Sequence, residues 1–305
     1  MAQNPTEAQR RALGRPLCLC ASVVSISKLT YRLSSGSIDV EKLLPYNSSI
    51  MPETIPLQDT VVYGPIHSRR LGHSLGINVL PASHKVCSSN CVYCQYGWTL
   101  PGRFEERLKR APELLLEIEE TFQRYAQART AVDCITLAGN GEPTLHPDLR
   151  ELVMGIKQLR DAAFPRAAVG ILSDSTQLNR PAVRQALELL DARYMKFDAA
   201  DEATWKRIND PLGKTDFHAM VSTLRSLPGI VLQSMFIQGA YDNTHETHLC
   251  AWVRLVESIR PLSVHVYTVD RGTAASGITK VPLAMLQEIA DRLTAATGIP
   301  ADVFD

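Results

Sequence analysis

"CITLAGNGEPTLHPDLRELVMGIKQLRDAAFPRAAVGILS" occupies residues 134–173. It opens on a short apolar run, CITLAG (134–139), and passes through a polar turn. A segment with helical spacing follows over 146–162, with Pro147 at its first turn. A second apolar run, AAVGILS (167–173), closes it. Strand, helix and strand in that order make a βαβ unit, whose crossover is right-handed. Parallel strands joined this way are covered by helices, so these strands are expected to be apolar on both faces.

The same alternation runs outward in both directions. Upstream, SLGINVL (74–80) reads as a strand and 111–128 as a helix with Leu115, Ile118, Phe122 and Tyr125 on one stripe. Downstream, helix 180–190, strand 193–199 and a short helix over 202–208 follow. Then come strand 230–239, helix 247–260, strand 263–269 and helix 283–298, with Gly298 at its end. Six strand–helix units with no reversal signal predict an α/β chain folded as an open or partial (β/α)6 barrel. Every polar cluster then falls at the carboxyl ends of the strands, where such folds place their chemistry.

Residues 1–60 show no sustained period and are expected to form a loosely ordered extension to a barrel over 61–305. The run Leu17–Ile26 is short and mixed with serine, so a targeting signal is not expected, and Met51 is a candidate start. No apolar run approaches the ~20 residues of a spanning helix. The chain has 305 residues, 32 basic and 32 acidic, for a formal net charge of zero. That balance gives no broad surface for nucleic acid. One bias is local: residues 61–110 carry Arg69, Arg70, Lys85, Arg103, Arg107, Lys109 and Arg110 against Glu105 and Glu106. It reads as a solvated basic face or as a mouth for an anion. The seven cysteines do not form a secreted disulfide pattern, which points to a reducing, cytoplasmic setting.

Three of those cysteines stand together just after the first strand, in KVCSSNCVYCQYG (85–97). Cys87, Cys91 and Cys94 suit three corners of a cubane iron–sulfur cluster whose fourth iron is left open to a small molecule. Two other readings stand beside it: a Cys3His zinc site with His84, and a redox pair of Cys91 and Cys94. His245 and His248 have metal-like spacing but open a helix and read as surface residues. Cys134 and Cys250 read as buried small hydrophobes. Arg69, Arg70 and His73 are candidates for positioning an anion.

Cys-x-x-x-Cys-x-Tyr-Cys resembles the signature of the radical S-adenosylmethionine (radical SAM) superfamily. With GPIHSRRLGHSLGINVLP, GNGEPTLHP, LSDS, KFDA, INDP and VYTVDR, the chain from about residue 62 resembles the subgroup of tRNA wyosine-type synthases. The resemblance implies a 4Fe-4S cluster on Cys87, Cys91 and Cys94 that cleaves S-adenosyl-L-methionine reductively. The resulting 5′-deoxyadenosyl radical would abstract hydrogen from an unidentified substrate. An external one-electron reductant such as flavodoxin or ferredoxin is implied with it.

By the same resemblance Tyr93 lies near the adenine, and Gly139, Asn140, Gly141 and Glu142 approach the methionine end. Ser173 and Ser175 meet the ribose or carboxylate, and Gln238 lies on the adenine side. Lys196, Asp198, Asp270 and Arg271 are candidates to line the substrate space. The chain departs from the family at Asp174, where Asn is common, and at RGTAASG (271–277), where prolines are usual. Wyosine-type synthases hold a second cluster on three further upstream cysteines, whereas this chain has only Cys18 and Cys20 there. The resemblance therefore carries the chemistry and not the substrate. An RNA-modifying member and a non-catalytic Cys3His module are the alternatives.

Overall fold

The computed structural model describes residues 54–101 and 107–305, together with two short strands, β1 (Arg32–Leu33) and β2 (Gly36–Ser37), that pair antiparallel. The chain separates into two units, Met1–Ser49 and Ile50–Asp305. Apart from β1 and β2, the extension expected over 1–60 lies outside the described residues through residue 53. The Leu17–Ile26 run, Cys18, Cys20, Met51, Arg103, Glu105 and Glu106 lie outside them too. No helix among the described residues is long and apolar enough to cross a membrane.

The second unit is built on eight strands: β3 (Val62–Ser68), β4 (Gly72–Ile77), β5 (Cys134–Leu137), β6 (Ala168–Ser173), β7 (Ala192–Lys196), β8 (Ile230–Met235), β10 (Ser263–Tyr267) and β12 (Ala301–Phe304). Their order is β12-β10-β8-β7-β6-β5-β4-β3, parallel throughout except for β3 against β4. A separate antiparallel pair joins β9 (Ile237–Gly239) to β11 (Ile278–Lys280). The helices are α1 (Ala111–Gln127), α2 (Leu149–Ala163), α3 (Pro181–Glu188), α4 (Glu202–Asn209), α5 (Phe217–Ser226), α6 (Glu246–Ile259) and α7 (Leu283–Thr297). Six of the parallel strands are those expected, and the sheet is an open, partial barrel, as expected. The edge strands β3 and β12 do not pair with each other. The strand expected over 230–239 breaks at Phe236 into β8 and β9.

One face of the sheet is dry. Leu75, Ile77, Ile135, Leu137, Val169, Ile171, Val264 and Val266 are wholly buried. They pack in one core with helix residues such as Ile118, Phe122, Leu152, Ile156, Trp252 and Leu286. Burial of each such side chain stabilises the wall by roughly 1.5–3 kcal/mol. Neighbouring helices touch one another, α1 on α2, α2 on α3 and α5 on α6, as expected where all of them cover the same face.

The other face corrects the expectation of strands apolar on both sides. Side chains alternate across a strand, and the opposite face carries Ser74, Thr136, Tyr194, Lys196, Gln233, His265 and Tyr267. The reason is that helices cover only the outer face, which leaves the inner face to polar side chains. Arg70, in the turn between β3 and β4, lies 4.5 Å from the ring centroid of Tyr267 on β10. Those strands are five positions apart in the order, about 24 Å in a flat sheet at ~4.8 Å per strand. No arginine spans that distance, so the sheet is curled.

Candidate functional site

The cysteine loop leaves β4 and is held by backbone from three distant segments. Val86 N donates to Asn140 O at 2.9 Å and Val86 O accepts from Glu142 N at 2.9 Å. Asn90 N donates to Asp210 O and Val92 N to Ile208 O, each at 2.9 Å; Ser88 O accepts from Leu212 N at 2.7 Å, and Val92 O from Ala275 N at 2.8 Å. Gly141 permits the first of these contacts. Its φ is +142°, and a Cβ there would stand 1.7 Å from Val86 O, so only glycine fits. Asp174 fastens the loop from the end of β6: its Oδ2 accepts from Ser88 Oγ and Ser89 Oγ, both at 2.8 Å.

Cys87, Cys91 and Cys94 are free thiols, with Cys91 buried and the other two half-buried. Burial, then the Asp174 carboxylate, pushes the Cys87 thiol well above its ordinary range. Burial likewise carries Cys91 up to about 11. Thiols so placed are neutral until a metal takes the proton's place. Lys85, buried, donates to Cys94 Sγ at 3.2 Å and to Gly97 O at 2.7 Å. Asn209 Nδ2 lies 3.5 Å from Cys91 Sγ.

The residues fit a cluster better than a single ion. Three thiols on one loop are near enough for the charge of one to raise the pKa of the next, and two of them face N–H donors, a usual means of tuning iron–sulfur sulfurs. Among the described residues no three of His, Cys, Asp or Glu converge as a mononuclear site requires, and His84 Nδ1 bonds Ser83 Oγ at 2.9 Å. A cubane carries its irons at separate corners, so convergence on one point is not needed. Asn209 Oδ1, beside Cys91, is buried with no hydrogen-bond partner. It is an acceptor of the kind a ligand ammonium satisfies.

Behind the loop lies a closed polar network. Tyr93 donates its hydroxyl to Asp198 Oδ2, and Asn209 Nδ2 reaches Tyr93 Oη at 2.8 Å and Asp198 Oδ2 at 2.7 Å. Met235 N donates to Asp198 Oδ1 at 2.8 Å. Lys196 Nζ is 3.5 Å from Asp198, 3.1 Å from Tyr267 Oη and 4.8 Å from the Tyr93 ring centroid. Burial opposes the charge on Lys196, but Asp198, Tyr267 and Cys91 outweigh it and hold its pKa above the ordinary value. Burial, then Asp198, raises the Tyr93 phenol well above its ordinary range.

The other candidates fall into three groups. Asn140 is wholly buried, donating to Gln58 O and Pro81 O at 2.8 Å and accepting from Gln58 N at 2.8 Å. Its side chain thus ties segment 54–60 to the glycine turn, while Gly139 and Gly141 both have positive φ. Glu142 accepts from Thr144 N and Thr144 Oγ1, and from Asp174 N at 2.5 Å. Burial, then Asp174, lifts its pKa to about 8. Ser175, at φ +70°, donates from Oγ to Lys196 O at 3.0 Å and from N to Ser173 Oγ at 3.1 Å. These residues and the network above form one continuous layer around the loop.

Gln238, Asp270 and Arg271 are not part of that layer by any side-chain bond to it. Gln238 bonds Thr244 Oγ1 at 3.1 Å, Asp270 pairs with Arg69 at 3.3 Å, and Arg271 reaches Gln95 at 3.5 Å. Of the basic residues in 61–110, Arg69, Arg107, Lys109 and Arg110 all pair with carboxylates, which favours the solvated-face reading. His73 pairs with Asp133 at 3.0 Å. Two minor expectations are corrected. His248 is buried, 3.7 Å from Asp201, because it opens α6 against the core. Cys250 is half-buried and bonds Glu246 and Arg292. Asp174, Asn209, Lys85 and Tyr267 were not assigned roles from sequence. LSDS, INDP and VYTVDR, which contain Asp174, Asn209 and Tyr267, carried the signal.

The family model "Radical SAM superfamily" matches residues 83–241, the span from the cysteine loop to just past β9. GTPase Obg of Brachyspira hyodysenteriae is 34% identical over 220 residues, 70% of this chain and 30% of that protein. A UPF0026 protein of Helicobacter pylori strain J99 is 31% identical over 216 residues, covering 69% of this chain and 67% of that protein. The chain thus spans less than a third of the first relative and two thirds of the second. A structure of TYW1 with a lysine-pyruvate adduct bound shares the fold at a TM-score of 0.54 and 16% identity, over 73% of this chain and 74% of that one.

Proposed function

The chain belongs to the radical SAM superfamily, and from that we propose an enzyme that holds a 4Fe-4S cluster on Cys87, Cys91 and Cys94. Its activity is the reductive cleavage of S-adenosylmethionine to start hydrogen abstraction from a substrate in the barrel chamber. The single observation that carries this reading is the loop itself: three unpaired thiols, two met by N–H donors, beside a buried acceptor with no donor.

Bound on Cys87, Cys91 and Cys94, the cluster would supply one electron, taken from an external reductant, for the reductive cleavage of S-adenosylmethionine. The protein's own part is positioning. Asp174 and Gly141 fix the loop between strand ends, and the backbone rails to Ile208, Asp210 and Ala275 fix its other side. Asn209 turns one donor to Cys91 and one to Asp198, leaving its carbonyl for the cofactor's ammonium. Lys196 stands between the loop and the chamber, charged and held by Asp198 and Tyr267. The reading requires an external one-electron reductant of the flavodoxin or ferredoxin class and a reducing, cytoplasmic compartment.

The test is anaerobic. The full chain is reconstituted with iron and sulfide and reduced, and its EPR spectrum is recorded with and without S-adenosylmethionine. A reduced-cluster signal that changes on addition, with 5′-deoxyadenosine formed on turnover, is the expected result. Zinc without iron, or a cluster signal indifferent to S-adenosylmethionine, would overturn the reading.

A further inference from the structure

Among the described residues, the inner face of the sheet carries one cation, Arg70, with no carboxylate partner. Strand register sets Gln233 on β8 directly between Lys196 on β7 and His265 on β10. Arg70 enters from the β3–β4 turn, donates from Nη1 to Gln233 Oε1 and stacks over the Tyr267 ring. The other end of the Gln233 amide is taken by His265 Nδ1, at 2.7 Å. Both ends of Gln233 are therefore engaged, and the guanidinium is held in one place.

The acidic groups nearby are accounted for. Asp198 serves Lys196, Tyr93, Asn209 and Met235 N. Asp270 pairs with Arg69. Asp302 lies on the edge strand β12 beside His265 and is exposed. His265 adds no negative charge: it packs against Tyr194 and Phe304, with ring centroids at 5.7 and 4.9 Å. Among the described residues Arg70, only half-exposed, has no carboxylate partner, and its other guanidinium N–H groups have no acceptor.

A half-exposed guanidinium without a carboxylate partner is free to meet an anion. A guanidinium fixed by an amide and an aromatic face presents a ready fork for a planar or tetrahedral oxyanion. We propose that Arg70, positioned by Gln233 and Tyr267, is the anchor for a carboxylate or phosphate group on the substrate. This rests on the reading of the chamber as the substrate site of a radical enzyme. Lys196 links the anchor to the cysteine loop, since its Nζ lies between the Tyr267 and Tyr93 rings, 5.7 and 4.8 Å from their centroids. The substrate class is then a small anionic metabolite whose charged end lies under Arg70 and whose reacting carbon points toward the loop.

The experiment uses the reconstituted full chain without S-adenosylmethionine or reductant, with inorganic phosphate and malonate as separate probes. Calorimetry gives the dissociation constant of each for wild type, Arg70→Gln, Arg70→Lys and the distant control Arg225→Gln. Arginine labelling by phenylglyoxal, read peptide by peptide by mass spectrometry, is run on wild type alone, so the result stands even if Arg70→Gln fails to fold. At least tenfold weaker binding in Arg70→Gln, a smaller loss in Arg70→Lys and none in Arg225→Gln are expected, with Arg70 protected from phenylglyoxal by the probe. Tighter binding of phosphate than malonate assigns a phosphate ester, and the reverse a carboxylate. No probe binding in wild type, equal binding in Arg70→Gln, or unprotected Arg70 overturns the anchor. Because these readouts need no turnover, the anchor and the radical reading fail separately: an S-adenosylmethionine-sensitive EPR signal without anion binding refutes the anchor alone.

Discussion

Replacement of Asp174 by alanine tests how the cysteine loop is kept in place. Asp174 Oδ2 accepts from Ser88 Oγ and Ser89 Oγ, and Oδ1 accepts from Thr176 N and Thr176 Oγ1 at 2.9 and 2.7 Å. The two serine bonds are charge-assisted and join β6 to the loop, each contributing about 1.5–3 kcal/mol. The Thr176 bonds are local, and Thr176 Oγ1 has a second partner in Ser88 Oγ at 2.7 Å. The cross-loop loss is thus about 3–6 kcal/mol, and water entering the half-buried site lowers it to about 2–4 kcal/mol. The assay is urea denaturation of the metal-free protein, with bound iron measured after reconstitution. Asp174→Ala should lose stability in that range and bind less iron, and Asp174→Asn, which keeps one acceptor, should lose about half as much. In a Ser88→Ala/Ser89→Ala background the same change should cost less than about 1 kcal/mol, because the partners are already gone. Full cost in that background, or wild-type stability in Asp174→Ala, would refute the reasoning.

Further outcomes follow from other contacts. Gly141→Ala drives a Cβ into Val86 O at a φ of +142°; it should cost about 2–4 kcal/mol and lower bound iron, and normal iron content would show that the loop moves freely. Lys85→Met removes the donor to Cys94 Sγ; since that donor favours the more electron-rich reduced state, the cluster midpoint should fall by about 60 mV for each ~1.4 kcal/mol of lost preference, and an unchanged redox titration would sink the assignment. His265 has its pKa lowered by burial, then by Arg70, to about 4. A depressed histidine stabilises the fold above its unfolded pKa near 6.5, and that stability is lost as pH falls from 6.5 toward 4, by up to about 3 kcal/mol. Chemical denaturation across that window should therefore give a flatter profile for His265→Gln than for wild type, and parallel profiles would count against it.

The parallel strands were legible because they are short apolar runs, and their outer faces are as dry as such runs imply. What failed was the inner face. Tyr194, Lys196, Gln233, His265 and Tyr267 alternate with apolar neighbours, a period-2 signal masked by reading each strand as wholly apolar. The edge strand β3, VYGPIHS, is mostly exposed and contains proline, so it carried no apolar pattern. The helix α5 had a usable signal: Asp216 caps it, and Phe217, Met220, Val221 and Leu224 follow at helical spacing. It was missed because its threonine and serines are weak helix formers. Within the site, the three cysteines and the glycine turn were visible because spacing along one loop is itself the geometry. The contacts of Asn209 and Asp174 with the loop were not, although their motifs were, since they span 85 to 118 residues.

The rails that hold the cysteine loop have a consequence for how the protein is made. Val86 waits for Asn140, Val92 for Ile208, and the carbonyl of Val92 for Ala275. At roughly 5–20 residues per second, synthesis from Cys94 to Ala275 takes about 10–35 s. Through that interval the three cysteines are already translated but their scaffold is not. Order at the cysteine loop therefore waits for the chain to be made through Ala275, and on the proposed reading a cluster would be delivered only after that point, to thiols kept reduced in the meantime.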